Sequence, residues 1–123
     1  MKTLSLLSVL LFGILFSNVS KAQTSKKETI KVWGNCGMCK KKIEKAAKSA
    51  GANSASWDAD KLSLEVAYNT EKTSSATIQE AIAKIGYDTQ DFRAADNLYA
   101  DLPGCCQYER AALNPAIINA TPQ

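Results

Sequence analysis

Two thiols stand three residues apart in the stretch Trp33-Gly34-Asn35-Cys36-Gly37-Met38-Cys39-Lys40. A Cys-x-x-Cys pair supports two kinds of chemistry. It can hold a soft metal ion between two thiolates, or it can cycle between dithiol and disulfide. Both need the thiolate. Cys39 opens an amphipathic helical pattern, and a helix N-terminus lowers a thiol pKa. Lys40, Lys41 and Lys42 add positive potential beside it. The chain contains no histidine, which excludes mixed Cys/His zinc sites. A tetrahedral zinc site would need all four cysteines: Cys36, Cys39, Cys105 and Cys106. Two soft sulfur ligands suit Cu(I) best and also accept Hg(II), Zn(II) or Cd(II).

The elements that must position this pair follow from the hydrophobic periodicity. In residues 29–33, Ile30 and Val32 alternate with Thr29 and Lys31, the pattern of a strand that Gly34 and Asn35 break. From Cys39 the period becomes helical: Cys39, Ile43, Ala46, Ala47 and Ala50 share a face, and Gly51 is placed as its stop. Residues 52–57 form a second strand, and 58–61 supply turn residues. Leu62, Leu64 and Val66 alternate with Ser63, Glu65 and Ala67 in a third strand. Thr73, Ser74 and Ser75 offer N-caps for a second helix whose buried face is Ile78, Ala81, Ile82 and Ile85. Gly86 ends it, and residues 87–92 make a last strand. The order β-α-β-β-α-β predicts an α+β, ferredoxin-like sandwich, with a four-stranded antiparallel sheet and two helices on one face. Beyond it, Ala95, Leu98 and Leu102 lie at helical spacing with Asp96 as cap, so a short C-terminal helical extension is expected.

The 123 residues suffice for one domain. Lys2, the apolar run of residues 4–16, and small residues at Ser20 and Ala22 read as a cleavable signal peptide over 1–22. The run is shorter than the roughly 20 residues of a membrane span, and no cysteine follows Ala22 to carry a lipid. An exported product, periplasmic or secreted, is therefore expected, without stable membrane insertion. Losing Lys2 and Lys21 takes the fifteen basic groups to thirteen against twelve acidic ones, so no nucleic-acid footprint remains. The organisation expected is signal peptide 1–22, flexible leader 23–28, metal-binding domain 29–93, a Cys-Cys-bearing extension 94–112 and a disordered tail 113–123.

The residues resemble the heavy-metal-associated domain family, which includes copper chaperones and the periplasmic mercury-binding protein. The resemblance rests on Cys36-Gly37-Met38-Cys39, Ile43-Glu44, Glu71-Lys72-Thr73-Ser74 and Ala81-Ile82-Ala83-Lys84-Ile85-Gly86-Tyr87. It covers residues 29–92. The family usually reads Gly-Met-Thr-Cys-x-x-Cys. Here Gly34-Asn35-Cys36 is one residue short, so the family's loop methionine has no counterpart, and Met38 stands between the cysteines instead. The resemblance implies a carrier, not an enzyme. It would pass its ion by thiolate exchange to a metal-transporting membrane protein or another thiol-rich domain, as a monomer or a metal-bridged dimer. In the family's fold Tyr87 comes near the metal loop, where it either shields the site or closes the core.

The competing reading is a thioredoxin-like thiol-disulfide oxidoreductase using Cys36 and Cys39. Such a fold needs a proline facing the thiols from a later strand, and Pro103, Pro115 and Pro122 all lie beyond the expected last strand. Cys105 and Cys106 are free cysteines beyond a complete domain, a liability in an oxidising compartment. Four readings are open to them: adding a thiolate to the Cys36/Cys39 surface, forming a site of their own, bridging to the loop as a disulfide, or sitting apart and pairing between molecules.

Overall fold

The computed structural model describes residues 24–110. The expected signal peptide 1–22 and the expected disordered tail 113–123 lie outside the described residues. The elements run β1 (Ser25–Lys31), α1 (Gly37–Ser49), β2 (Ala52–Asp58), β3 (Ser63–Asn69), α2 (Ser75–Lys84) and α3 (Asp96–Ala100), followed by a 3-10 turn at Gly104–Cys106. The sheet is antiparallel in the order β1-β3-β2. No helix among the described residues is long and apolar enough to cross a membrane.

Alternation decides which face of the sheet is buried. Ile30 on β1, Trp57 on β2, and Leu64, Val66 and Tyr68 on β3 all point into one core. Helix α1 meets them with Cys39, Ile43 and Ala47, spaced four apart on one stripe. It stops where Gly51 takes φ +108°, a conformation that favours glycine. Thr73 then ties this end to the start of α2, its hydroxyl donating to the Ala50 carbonyl at 2.6 Å. Ser74 caps α2 by accepting from the Thr77 amide at 3.2 Å.

Several expectations need correction. Residues 25–28 are not a flexible leader: they pair with Val66–Asn69 of β3 and lengthen β1. The face of α2 is rotated, since Ile78, Gln79, Ile82 and Ala83 are buried while Ile85 is exposed. Gln79 can be buried because its amide is fully used, donating to Ser75 and Asp91 and accepting from Thr89 and the Asp91 amide.

The third correction concerns the fourth strand, because the sheet has three among the described residues. Residues 87–92 make a single antiparallel bridge, Val32 to Thr89. Two ladder bonds flank it: the Trp33 amide to the Asp88 carbonyl (2.9 Å) and the Gln90 amide to the Lys31 carbonyl (2.9 Å). The chain then turns back on itself, with the Thr89 amide donating to the Phe92 carbonyl and the Phe92 amide to the Thr89 hydroxyl. Side-chain bonds from Thr89 and Gln79 give this segment an alternative to the ladder, which is why it does not propagate.

After the turn, residues 94–110 pack back against the domain. Leu102, Cys106 and Tyr108 join the core cluster. Helix α3 is not capped by Asp96. Ala95 is the N-cap, and the Asp96 carboxylate instead accepts from Arg110 at 2.8 Å.

Candidate metal centre

The loop between β1 and α1 is fixed from below by Trp57 and Ile43. The Trp57 indole N–H donates to the Val32 carbonyl at 3.0 Å, holding the ring under the loop. Gly34 rests on that ring so closely that a Cβ there would fall 2.8 Å from Trp57 and 3.2 Å from Ile43. Lys40, expected to contribute positive potential, braces the same region: it donates to the Trp57 carbonyl (2.8 Å) and pairs with Glu44 (2.6 Å). Glu44 also accepts from the Trp57 amide at 3.2 Å. Met38 is about half exposed and does not fill the core.

Cys36 is the N-cap of α1 and is half-buried, whereas Cys39 lies one turn in and is buried. Their sulfurs are 3.7 Å apart. The pKa expectation shifts from one thiol to the other. The Cys39 and Met38 amides face the Cys36 sulfur and bring its pKa down to about 7, without a capping hydrogen bond of ordinary geometry. Burial pushes Cys39 up instead. The helix terminus therefore acts on the sulfur at its mouth, and the one inside bears the desolvation cost.

The remaining cysteines separate. Cys106 is fully buried, and its sulfur lies with those of Cys36 and Cys39, all three within 4.8 Å of one another. Cys105 is exposed, its sulfur 3.9 Å from that of Cys106 and outside the three-sulfur group. All four thiols are free. Tyr87 is buried beside the group. Among the described residues its hydroxyl makes no hydrogen bond of ordinary geometry, and burial together with the neighbouring Cys39 and Cys106 thiols pushes its pKa far up.

Sequence reasoning missed the residues that hold Cys106 in place. Asp88 sits directly after Tyr87 and is nearly buried. It takes a two-pronged pair from Arg110 (2.7 and 2.9 Å) and the Ala94 amide (2.8 Å). The Tyr108 hydroxyl donates to the Gly86 carbonyl (2.9 Å) and accepts from the Asp88 amide (2.8 Å). Tyr108 also stacks on Tyr87 at 5.8 Å and meets Tyr99 edge-on at 5.1 Å. On the other side, the Asn35 side chain donates to the Cys105 carbonyl at 3.2 Å and links the loop to the cysteine turn. A lone Asp and a lone Arg 22 residues apart carry no local signature, so no spacing rule could have paired them.

The heavy-metal-associated domain model matches residues 35–88. Among solved structures, a "CopZ metallochaperone" is 30% identical, with 52% of this chain and 98% of that chain covered and a TM-score of 0.50. A protein of Bacillus anthracis str. Ames, described provisionally as copper-ion-binding, is 25% identical over 56% of this chain and 100% of its own, with a TM-score of 0.52. A copper form of a CopA variant from Bacillus subtilis is 31% identical over 56% of this chain and 93% of its own, with a TM-score of 0.47. A search of curated proteins finds no match. The chain belongs to the heavy-metal-associated domain family. The arm that carries Cys105 and Cys106 lies beyond the matched residues.

Proposed function

We propose that this protein is an exported carrier of a soft metal ion, Cu(I) in the first place, which it binds through Cys36 and Cys39 and hands on by thiolate exchange. One observation carries the reading: two thiols 3.7 Å apart at the mouth of a helix, one of them half-exposed and the other buried. Soft thiolates select Cu(I) over harder ions, and a sulfur at the protein surface leaves the ion open to a second protein. The similarity to a metallochaperone and to a protein described as copper-ion-binding adds support.

The transfer is a ligand substitution. A thiolate of the acceptor donates an electron pair to the ion while Cys36 and Cys39 still hold it. The bond to the half-exposed Cys36 sulfur then breaks, and the freed thiolate takes up a proton from solvent. A second acceptor thiolate displaces Cys39. The ion keeps its oxidation state throughout, so no oxidant or reductant is consumed. The acceptor is a metal-transporting membrane protein or another thiol-rich domain. Export follows from the signal-like residues 1–22. The carrier reading fits better than a thiol-disulfide oxidoreductase. The chain runs from α1 straight into the β2-β3 hairpin, and the family to which it belongs is named for metal association.

The test is a competition titration of the reduced protein with Cu(I) and a chromogenic chelator, followed by transfer to an acceptor domain. One equivalent should bind tightly, and the Cys36→Ser/Cys39→Ser double variant should lose at least about a hundredfold in affinity while keeping its fold. The transfer rate should rise with acceptor concentration. Unchanged affinity in the double variant would overturn the reading, and a transfer rate independent of acceptor concentration would remove the exchange mechanism.

A further inference from the structure

We propose that Cys106 is a third sulfur ligand, delivered by the C-terminal arm, so that a soft ion sits in a three-thiolate site of Cys36, Cys39 and Cys106 with Cys105 outside it. This deepens the carrier reading and rests on it. The domain family supplies the first two sulfurs, and the third comes from a segment beyond the matched residues 35–88.

The distances favour three-coordination. With metal–sulfur bonds of about 2.3 Å, sulfurs lie about 4.0 Å apart in a trigonal site and about 4.6 Å apart in a linear one. The Cys36 and Cys39 sulfurs, at 3.7 Å, are already closer than a linear site requires. The full set lies within 4.8 Å, so closing onto one ion draws in the widest pair by at most about 0.8 Å.

Cys106 is also held ready. Its amide donates to the Pro103 carbonyl at 2.8 Å, and its carbonyl accepts from the Tyr108 amide at 3.0 Å. Tyr108 is anchored on Gly86 and Asp88, and Arg110 locks the end of the arm onto the same Asp88. An ordinary core cysteine has apolar neighbours. This one has two other sulfurs and a buried tyrosine hydroxyl that makes no hydrogen bond of ordinary geometry among the described residues. Such a cluster gathers three soft donors round one small volume.

The consequence is retention. Two of the three sulfurs, those of Cys39 and Cys106, are buried, and only Cys36 reaches the surface. An acceptor can approach from the Cys36 side alone. Release then requires that Cys39 and Cys106 both be displaced, which slows loss to water and keeps oxidants off the ion.

The experiment is X-ray absorption on the reduced full chain loaded with one equivalent of Cu(I), paired with a titration by arsenite, which takes three thiolates. The wild type and the Cys105→Ser variant should show three sulfurs. The Cys106→Ser variant should show two, with Cu(I) and arsenite affinities lowered at least about tenfold, no less than the loss of an outer-shell partner costs. Cys106→Ala should behave the same way, and the circular dichroism of both variants guards against loss of the fold. Two sulfurs in the wild type, or three in Cys106→Ser, would overturn the third ligand and leave the two-thiolate carrier standing. Failure to bind Cu(I), with arsenite still held in a Cys106-dependent way, would remove the carrier reading and leave the three-sulfur site standing.

Discussion

The metal loop and the C-terminal arm bring sulfurs to one place by different physics. The loop is held by packing. Gly34 lies on the Trp57 ring, Ile43 fills the space beneath, and Trp57 is pinned through Val32. The arm packs Leu102, Cys106 and Tyr108 on the core but is fastened in addition by charge and hydrogen bonds that converge on Asp88, from Arg110, Ala94 and the Tyr108 hydroxyl. Packing of this kind is contiguous with the domain core and fails only when the core fails. A polar clasp is separable: it depends on a few groups that are costly to leave unpaired once buried. The loop is thus part of the domain, and the arm is an addition to it with its own fastening.

The largest effect should come from the clasp. Arg110→Met leaves Asp88 nearly buried without its closest cation, and removing one member of such a pair should lower stability to urea by about 3 kcal/mol. Arg93, at 3.8 Å from Asp88, keeps the loss near the bottom of the usual range. A loss under about 1 kcal/mol would mean that the aromatic contacts hold the arm instead, and the contrast drawn above would fail.

Gly34→Ala tests the other side. Its new methyl would sit 2.8 Å from the Trp57 ring, and overpacking of this kind should cost about 2 kcal/mol. The loop must shift to make room, so Cu(I) affinity should fall along with stability. Full affinity in a destabilised protein would show that the sulfurs are positioned independently of the packing beneath them.

A third measurement separates the two loop thiols. Alkylation of the metal-free, reduced protein by iodoacetamide should show Cys36 reacting with a midpoint near pH 7, well below the ordinary thiol value of 9.0. The sign follows from the lowered pKa: the thiolate is present above about 7 and lost below it. Cys39, pushed up by burial, should lag. Mass spectrometry of the modified peptide identifies the site, and equal rates for the two thiols would contradict the division into an outer and an inner sulfur.

The smallest effect is expected where the two regions meet. Among the described residues the Tyr87 hydroxyl makes no hydrogen bond of ordinary geometry, so Tyr87→Phe should change the stability of the metal-free protein by less than about 1 kcal/mol. A loss of about 2 kcal/mol or more on thermal unfolding would mean that the hydroxyl bonds the Cys39 and Cys106 sulfurs strongly even without an ion.

The sequence by itself carried the parts governed by local rules. Period-two alternation marked Leu64 and Val66 as an inward face, and helical spacing marked Cys39, Ile43 and Ala47. Glycines at 51 and 86 stopped the helices because each adopts positive φ. The Cys-x-x-Cys pair stood out as a candidate site because both thiols lie within one turn of chain. Only the tertiary structure decided that β1 begins at Ser25, that Ile85 faces outward, and that residues 87–92 turn after one bridge. It also decided which cysteine of the second pair joins the first. Cys105 and Cys106 are neighbours with the same side chain, and no pattern distinguishes them. The direction of each sulfur is set by a turn whose position depends on Asp88 meeting Arg110 and Tyr108 from 22 and 20 residues away. Interactions between single residues at such separation leave no period in the sequence, so the choice between the two thiols is made only once the chain has closed on itself.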